Sequence, residues 1–248
     1  MQYVTKQSAE QITPNQPEPE LQFSLRLVGG LEIASVIASV FITTWVIIPL
    51  QPEPRWLMAL PGFLAALLML YSHRLRGEKL SEIGFSLRNF WKALSLVAVP
   101  TLAVCSVITM IGFLTNSFHL TSHFWTNLLV LPVWAVIQQY VLQAFIYRRM
   151  RWIFISESDS PEQSLRQTRL AILATAVIFS VTHLPNLMLM LLTLLGALLW
   201  SWVYERAPNL FALGLSHATI SLMLMTSLPP WFLPSMSVGY KHFLYQVF

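Results

Sequence analysis

The residues in this chain that could do chemistry are few, and they lie inside apolar runs. One run reads Val-Trp-Ala-Val-Ile-Gln138-Gln139-Tyr-Val-Leu-Gln143. Gln139 and Gln143 are four apart and share one face of a helix, with Gln138 one step round it. A second run carries Phe179-Ser-Val-Thr-His183; a third carries Ser216-His217-Ala-Thr-Ile-Ser221, where His217 and Ser221 are again four apart. Histidine takes or gives a proton near neutral pH, whereas glutamine only donates and accepts hydrogen bonds. The set can orient and relay, and only its two histidines can act as bases. Each residue has a plainer reading beside this one. Glutamines inside apolar helices often tie helices together, and histidines there often bond carbonyls or serve as relays. Two histidines make a poor metal site without anionic ligands. Glu32 is the one carboxylate well inside an apolar stretch; burial or a nearby arginine would neutralise it, and a role as substitute base is the alternative. Cys105 is the single cysteine, cannot pair within the chain and reads as a small core residue. Asn186, after Pro185, reads as a turn residue.

The elements that must position these side chains are membrane helices. The chain is 55% hydrophobic and 10% charged, with a mean hydropathy of +0.60; a soluble domain carries about 25% charged residues. That is too little charge to cover a water-facing surface. A helix needs about 20 apolar residues to cross about 30 Å of hydrocarbon. The predicted spans are Leu27–Leu50, Trp56–Ser72, Ala93–Leu114, Trp125–Tyr147, Leu170–Leu184, Leu187–Tyr204 and Leu210–Leu228. His183-Leu-Pro-Asn186 should form a tight turn or a helix break. Residues 73–92 include Leu-Ser-Glu-Ile-Gly-Phe-Ser-Leu-Arg-Asn and predict an amphipathic interfacial helix. The expected fold is all-α: a polytopic transmembrane helix bundle of about seven to eight spans with that interfacial helix. Its parts are a polar tail (1–21), two N-terminal spans (22–72), a helical core (73–228) and a C-terminal segment (229–248), interfacial or partly inserted. At about 1.5 Å per residue from the basic ends, Gln138, His217 and His183 fall about 15, 12 and 21 Å into the bilayer, so they can meet near its middle.

Residues 1–21 are rich in Gln, Pro and Glu, too polar to bury a core, and predict a disordered or surface-bound tail. They do not read as a cleaved signal peptide, because the first apolar block is too long for an h-region and lacks a small-residue cleavage site. With the N-terminus inside, the inner segments hold Lys6, Arg26, Arg74, Arg76, Lys79, Arg88, Lys92, Arg148, Arg149, Arg151, Arg166, Arg169 and Arg206. The outer ones hold Arg55, and Lys241 lies in the C-terminal segment. That asymmetry predicts a cytosolic N-terminus. It also accounts for the pI of about 9.4 through topology and anionic headgroups, so nucleic acid is not an expected partner. Trp45, Trp56, Trp91, Trp125, Trp152, Trp200, Trp202 and Trp231 fall near span ends, as an aromatic belt does; Trp134 is at mid-span. No motif for a nucleotide, redox cofactor or metal is present, and no cofactor is expected.

In their order, these motifs resemble the CAAX protease and bacteriocin-processing family (CPBP, or abortive-infection proteins). That family carries E-E-x-x-x-R in one span, F-x-x-x-H in the next, and then H-x-x-x-N/D. Here Gln138-Gln139-x-x-x-Gln143, Phe179-x-x-x-His183 and His217-x-x-x-Ser221 take those places. Ile-Gly-Phe-Ser-Leu-Arg at 83–88 is similar to the segment before the family's core spans, and the resemblance covers about 75–228. It implies that Gln138 stands at the position of the water-activating glutamate and Gln139 at that of its partner glutamate. Gln143 stands at the arginine that pairs with them. His183 and His217 keep the assisting and oxyanion positions, with Ser221 replacing Asn or Asp. An amide cannot act as a general base. The resemblance therefore implies an intramembrane glutamic-protease relative with a neutralised site. Its expected partners are the lipid bilayer and a membrane-embedded or lipid-linked molecule, and its expected location a bacterial plasma membrane. An endopeptidase with its base drawn from His183 or Glu32, and a scaffold without a pocket, are the alternatives.

Overall fold

A computed structural model describes residues 19–120, 123–155 and 160–244. The tail expected at 1–21 lies almost wholly outside the described residues, and residues 19–21 already open the first helix. The helices are α1 (Pro19–Phe41), α2 (Ile48–Leu50), α3 (Leu60–Leu75), α4 (Phe90–Leu114), α5 (Phe124–Gln139), α6 (Arg148–Phe154), α7 (Pro161–Val181), α8 (Leu187–Arg206), α9 (Leu210–Ser227) and α10 (Tyr240–Leu244). Two π-helical segments, π1 (Ile42–Ile47) and π2 (Tyr140–Tyr147), join α1 to α2 and α5 to α6 without a break. No strand occurs among the described residues.

Local chemistry sets several helix starts. Ser160 accepts from the Gln163 amide while the Gln163 side chain accepts from the Ser160 amide, a reciprocal cap with Pro161 in the first turn. Asn186 caps α8 through the Leu189 amide, and Asn209 caps α9 through the Ala212 amide.

α9 lies at the centre, packed on α4 and α5, while α7 packs along α8. In the most apolar stretch of α9, 67% of residues are buried, against 17% to 39% in the other candidate spans, so α9 is the most enclosed of these spans. The outer faces of α3 and α4 expose Phe63, Leu64, Leu70, Val99, Leu102 and Phe113, which only lipid makes favourable on this scale. Among the described residues, six helical stretches are long and apolar enough to cross a membrane: Ser24–Leu50, Arg55–Leu75, Phe90–Leu114, Phe124–Phe154, Leu187–Arg206 and Leu210–Ser227. The chain is a polytopic, all-α integral membrane protein.

Several expectations need correction. The segment predicted as an interfacial helix is a series of turns between Leu75 and Phe90. Gly84 sits at φ +91, a conformation that breaks a helix. The loop also spends its polar groups elsewhere. The Ile83 carbonyl accepts from Tyr204, the Gly84 carbonyl from the Leu210 amide, and Glu78 turns inward to His73, Arg148 and Arg149. The span expected at Leu170–Leu184 is the second half of α7, which ends at Val181; Glu162, Arg166 and Arg169 make its first half polar. The basic stretch after Tyr147 is helical through Phe154, and its Arg149 is fully buried. Cys105 is not a core residue: it is half-buried on α4, beside Leu102, Ser106 and Thr109. Residues 229–239 form turns and irregular chain that fold back over π1 and the His183 turn, with the Gly239 backbone against Thr44 and its amide donating to the Leu184 carbonyl at 2.7 Å.

Candidate functional site

Gln138 and Gln139 end α5, where the backbone widens into π2; such π segments recur at functional sites. His183 stands in the turn between α7 and α8, and His217 and Ser221 stand on α9. What lets α9 approach α5 is Gly214. A Cβ there would lie 2.5 Å from a Val136 methyl and 3.2 Å from the Val136 backbone. Three residues further along each helix, the Gln139 amide nitrogen lies 3.4 Å from Nδ1 of His217.

Gln138, His183, His217 and Ser221 line one cavity of about 370 Å³, together with Trp134, Trp200, Thr193 and apolar side chains from α4, α8 and α9. A second cavity of about 320 Å³, between α1 and α7, shares Trp134, Gln138, His183 and Val238 with the first. These four residues border both cavities. Among the described residues, no Asp, Glu, Lys or Arg lines either cavity.

The hydrogen bonds assign the two imidazoles opposite roles. Nδ1 of His183 lies 2.7 Å from the Phe179 carbonyl, one helical turn back. A carbonyl only accepts, so Nδ1 carries the proton and Nε2 is left as an acceptor. Nδ1 of His217 faces an amide nitrogen, which only donates; its Nε2 therefore carries the proton and is a donor. His217 is further fixed by Trp200, whose ring stacks on it at 4.3 Å. Trp200 is held in turn by its Nε1 donating to Ser216, which bonds Thr101. Phe179 completes the wall, edge-on to His183 at 4.7 Å and to His217 at 6.2 Å.

Gln139 meets His217 on α9, and Gln143, fully buried, lies behind the cavity wall rather than in it. Trp200, read as a belt residue, is buried against His217. Its place four residues after Gly196, over which its ring lies, was the available sequence signal. Met236 and Val238 line the site from a C-terminal segment that carries no motif. Asn186, expected as a turn residue, caps α8 and also donates to the Ser235 and Ser237 carbonyls, tying that segment to the His183 turn.

Glu32 is engaged elsewhere. Its oxygens accept from Ser72, Arg76 and Arg149 at 2.7 to 3.2 Å. Glu78 takes His73, Arg148 and Arg149 beside it. The result is a buried ion network joining α1, α3, the following loop and α6. Burial alone raises the Glu78 carboxyl, but the His73 hydrogen bond and the Arg149 and Arg148 charges outweigh it and hold it down to about 2.

No curated protein and no solved structure matches the chain. The model of one family does match, over residues 120–223, with the description Rce1-like: Type II CAAX prenyl endopeptidase Rce1-like. The matched stretch contains every side chain expected at the site, from Gln138 to Ser221, and over this stretch the chain is similar to the Rce1-like CAAX prenyl endopeptidases of the CPBP group.

Proposed function

We propose that this protein binds a lipid-linked or membrane-embedded partner at a protease site that has become a neutral Gln/His cluster, and that it lacks ordinary glutamate-type proteolysis. One observation carries the reading: among the described residues, no carboxylate lines the cavity that Gln138, His183, His217 and Ser221 share. General-base assistance is worth about 10²–10⁴-fold, and an amide at 138 cannot supply it. Loss of both glutamates together with the arginine is physically consistent, since an arginine left unpaired in the membrane would be costly. The two cavities, about 370 and 320 Å³ with mostly apolar walls, suit a hydrocarbon chain whose polar linkage rests against Gln138 and His183, which border both. A prenylated peptide, the substrate class in the matched family's name, has that form.

One feature favours a second reading. His183 presents an acceptor nitrogen and His217 a donor nitrogen, the pairing a water-activating base and an oxyanion donor would need. In this reading the protein is an endopeptidase with His183 as its base. Glu32 is not favoured in that role, because its oxygens are held by two guanidinium groups and a hydroxyl.

A prenylated peptide bearing a benzophenone, reconstituted with the protein in lipid, tests both. Photo-crosslinking to wild type is expected, with loss in His183→Ala and His217→Ala at unchanged protein level and thermal stability, and no peptide cleavage by any of them. Cleavage by wild type that His183→Ala abolishes would establish the second reading. Absence of crosslinking, or losses that merely track abundance, would leave a scaffold whose polar residues tie helices together.

A further inference from the structure

The helix that carries the glutamines also bears a polar stripe that the cavity does not use. Gln139, Gln143, Tyr147 and Arg151 follow one another at four-residue spacing through π2 into α6. Both ends of the stripe are bonded. At the cavity end, Gln139 meets His217. At the basic end, Tyr147 donates to Glu205 at 2.6 Å, and Arg151 pairs with the same carboxylate at 3.3 Å. Glu205 is 23% and Arg151 41% exposed, so this end reaches solvent.

Between the ends the line is open. Gln143 is 0% exposed, and neither its Nε2 nor its Oε1 has a partner among the described residues. The same holds for Oε1 of Gln139 and for the hydroxyl of Ser201. Ser201 stands one turn before Glu205 on α8, one of the helices packed against π2. A glutamine serving only as interhelical glue would be bonded to protein, and this one is not. Buried polar groups seldom stay unpaired, and a buried water needs two to four polar partners. Gln143 offers two donors and an acceptor, Gln139 an acceptor, and Ser201 one of each kind.

We propose that Gln139, Gln143 and Ser201 form a buried water-binding site, whose water continues the hydrogen-bonded line from His217 to Tyr147, Glu205 and the solvent at the basic end. The site gives His217 an aqueous connection on the side away from the cavity. It stands whatever the cavity holds, because none of its three members depends on a ligand there.

The test reads water directly. Protein labelled with ¹⁵N-glutamine in detergent micelles is examined for magnetisation transfer from water to the side-chain amides. Transfer to the Gln143 amide is expected, identified by its disappearance in Gln143→Met. Gln143→Met and Ser201→Ala should each lower Tm, and the double variant should lose less than the sum, because the two share a water. A wild-type Gln143 amide that receives no magnetisation from water would overturn the proposal. So would a rise in Tm in Gln143→Met, since removing an unpaired amide from a dry site stabilises. If Gln143→Met does not fold, Ser201→Ala serves for the same comparison: reduced transfer to Gln143 supports the site, and unchanged transfer overturns it.

Discussion

Arg149 is fully buried, and what makes that tolerable is two carboxylates from distant parts of the chain. Glu78 comes from a loop and Glu32 from α1, and the guanidinium is also stacked at 4.7 Å on Phe145 and 4.6 Å on Trp152. Removing one partner of such a pair leaves a buried charge uncompensated, at a cost of about 3–5 kcal/mol. Glu78→Gln should therefore lower thermal stability severely, measured by detergent-phase unfolding. The pH dependence has a definite sign. The Glu78 carboxyl is held down to about 2 from an ordinary 4.5, so its contribution is complete above 4.5 and is lost as pH falls from there toward 2. Wild-type Tm should fall across that window, and that of Glu78→Gln less. The sequence pointed to part of this. An arginine near Glu32 was foreseeable from a lone carboxylate in an apolar run, but counting Arg149 as an interfacial charge hid its burial. The same limit applied to Trp200: position near a span end suggests a headgroup belt, and only the neighbouring helix shows that the ring turns inward onto His217.

The distance between α5 and α9 is set by the absence of a side chain at Gly214. Small residues let membrane helices approach closely, and here the approach brings Gln139 to His217. Gly214→Ala places a methyl against the Val136 backbone. Overpacking of this kind costs about 1–3 kcal/mol, and the added separation should break the 3.4 Å contact. The expected result is a lower Tm together with a changed His217 Nδ1 resonance in ¹⁵N-histidine spectra. A variant with both unchanged would show that the helices are spaced by something else. The helices themselves were legible, because long apolar runs have few alternatives. The loop after α3 was not. Its sequence is amphipathic enough for a helix, but the carbonyls of Ile83 and Gly84 and the side chain of Glu78 are claimed by α6, α8 and α9, partners that no local pattern reveals. The C-terminal strap over the site was illegible for the same reason: Met236 and Val238 belong to it by contact and not by motif.

For the whole molecule, the open question of function is which end of the cavity faces the cytosol. Exposed Arg74, Lys79, Arg88, Lys92, Arg166, Arg169 and Arg206 flank the ends of α3, α4, α7 and α8, while the segment between α4 and α5, with Asn116 and Ser117, has no lysine or arginine. Cationic residues are retained on the cytoplasmic side because translocating them is costly. Burial of Arg76 and Arg149 in ion pairs removes two charges from that count and leaves the asymmetry intact. The expected arrangement therefore has the end near Arg166 in the cytosol and the turn at Asn116 and Ser117 outside, with the water line from Glu205 opening inward. Single cysteines at Ser117 and Arg166 in a Cys105→Ser background would show this in intact cells. Cys105 is replaced because it is half-buried on the outer face of α4 and would add signal of its own. A membrane-impermeant maleimide should label the cysteine at 117 in intact cells, and label the one at 166 only after permeabilisation. The reverse pattern would invert the molecule. A lipid-linked partner made in the cytosol would then have to reach His183 and His217 from the other leaflet, and the carboxylate at the end of the buried line would face the outside.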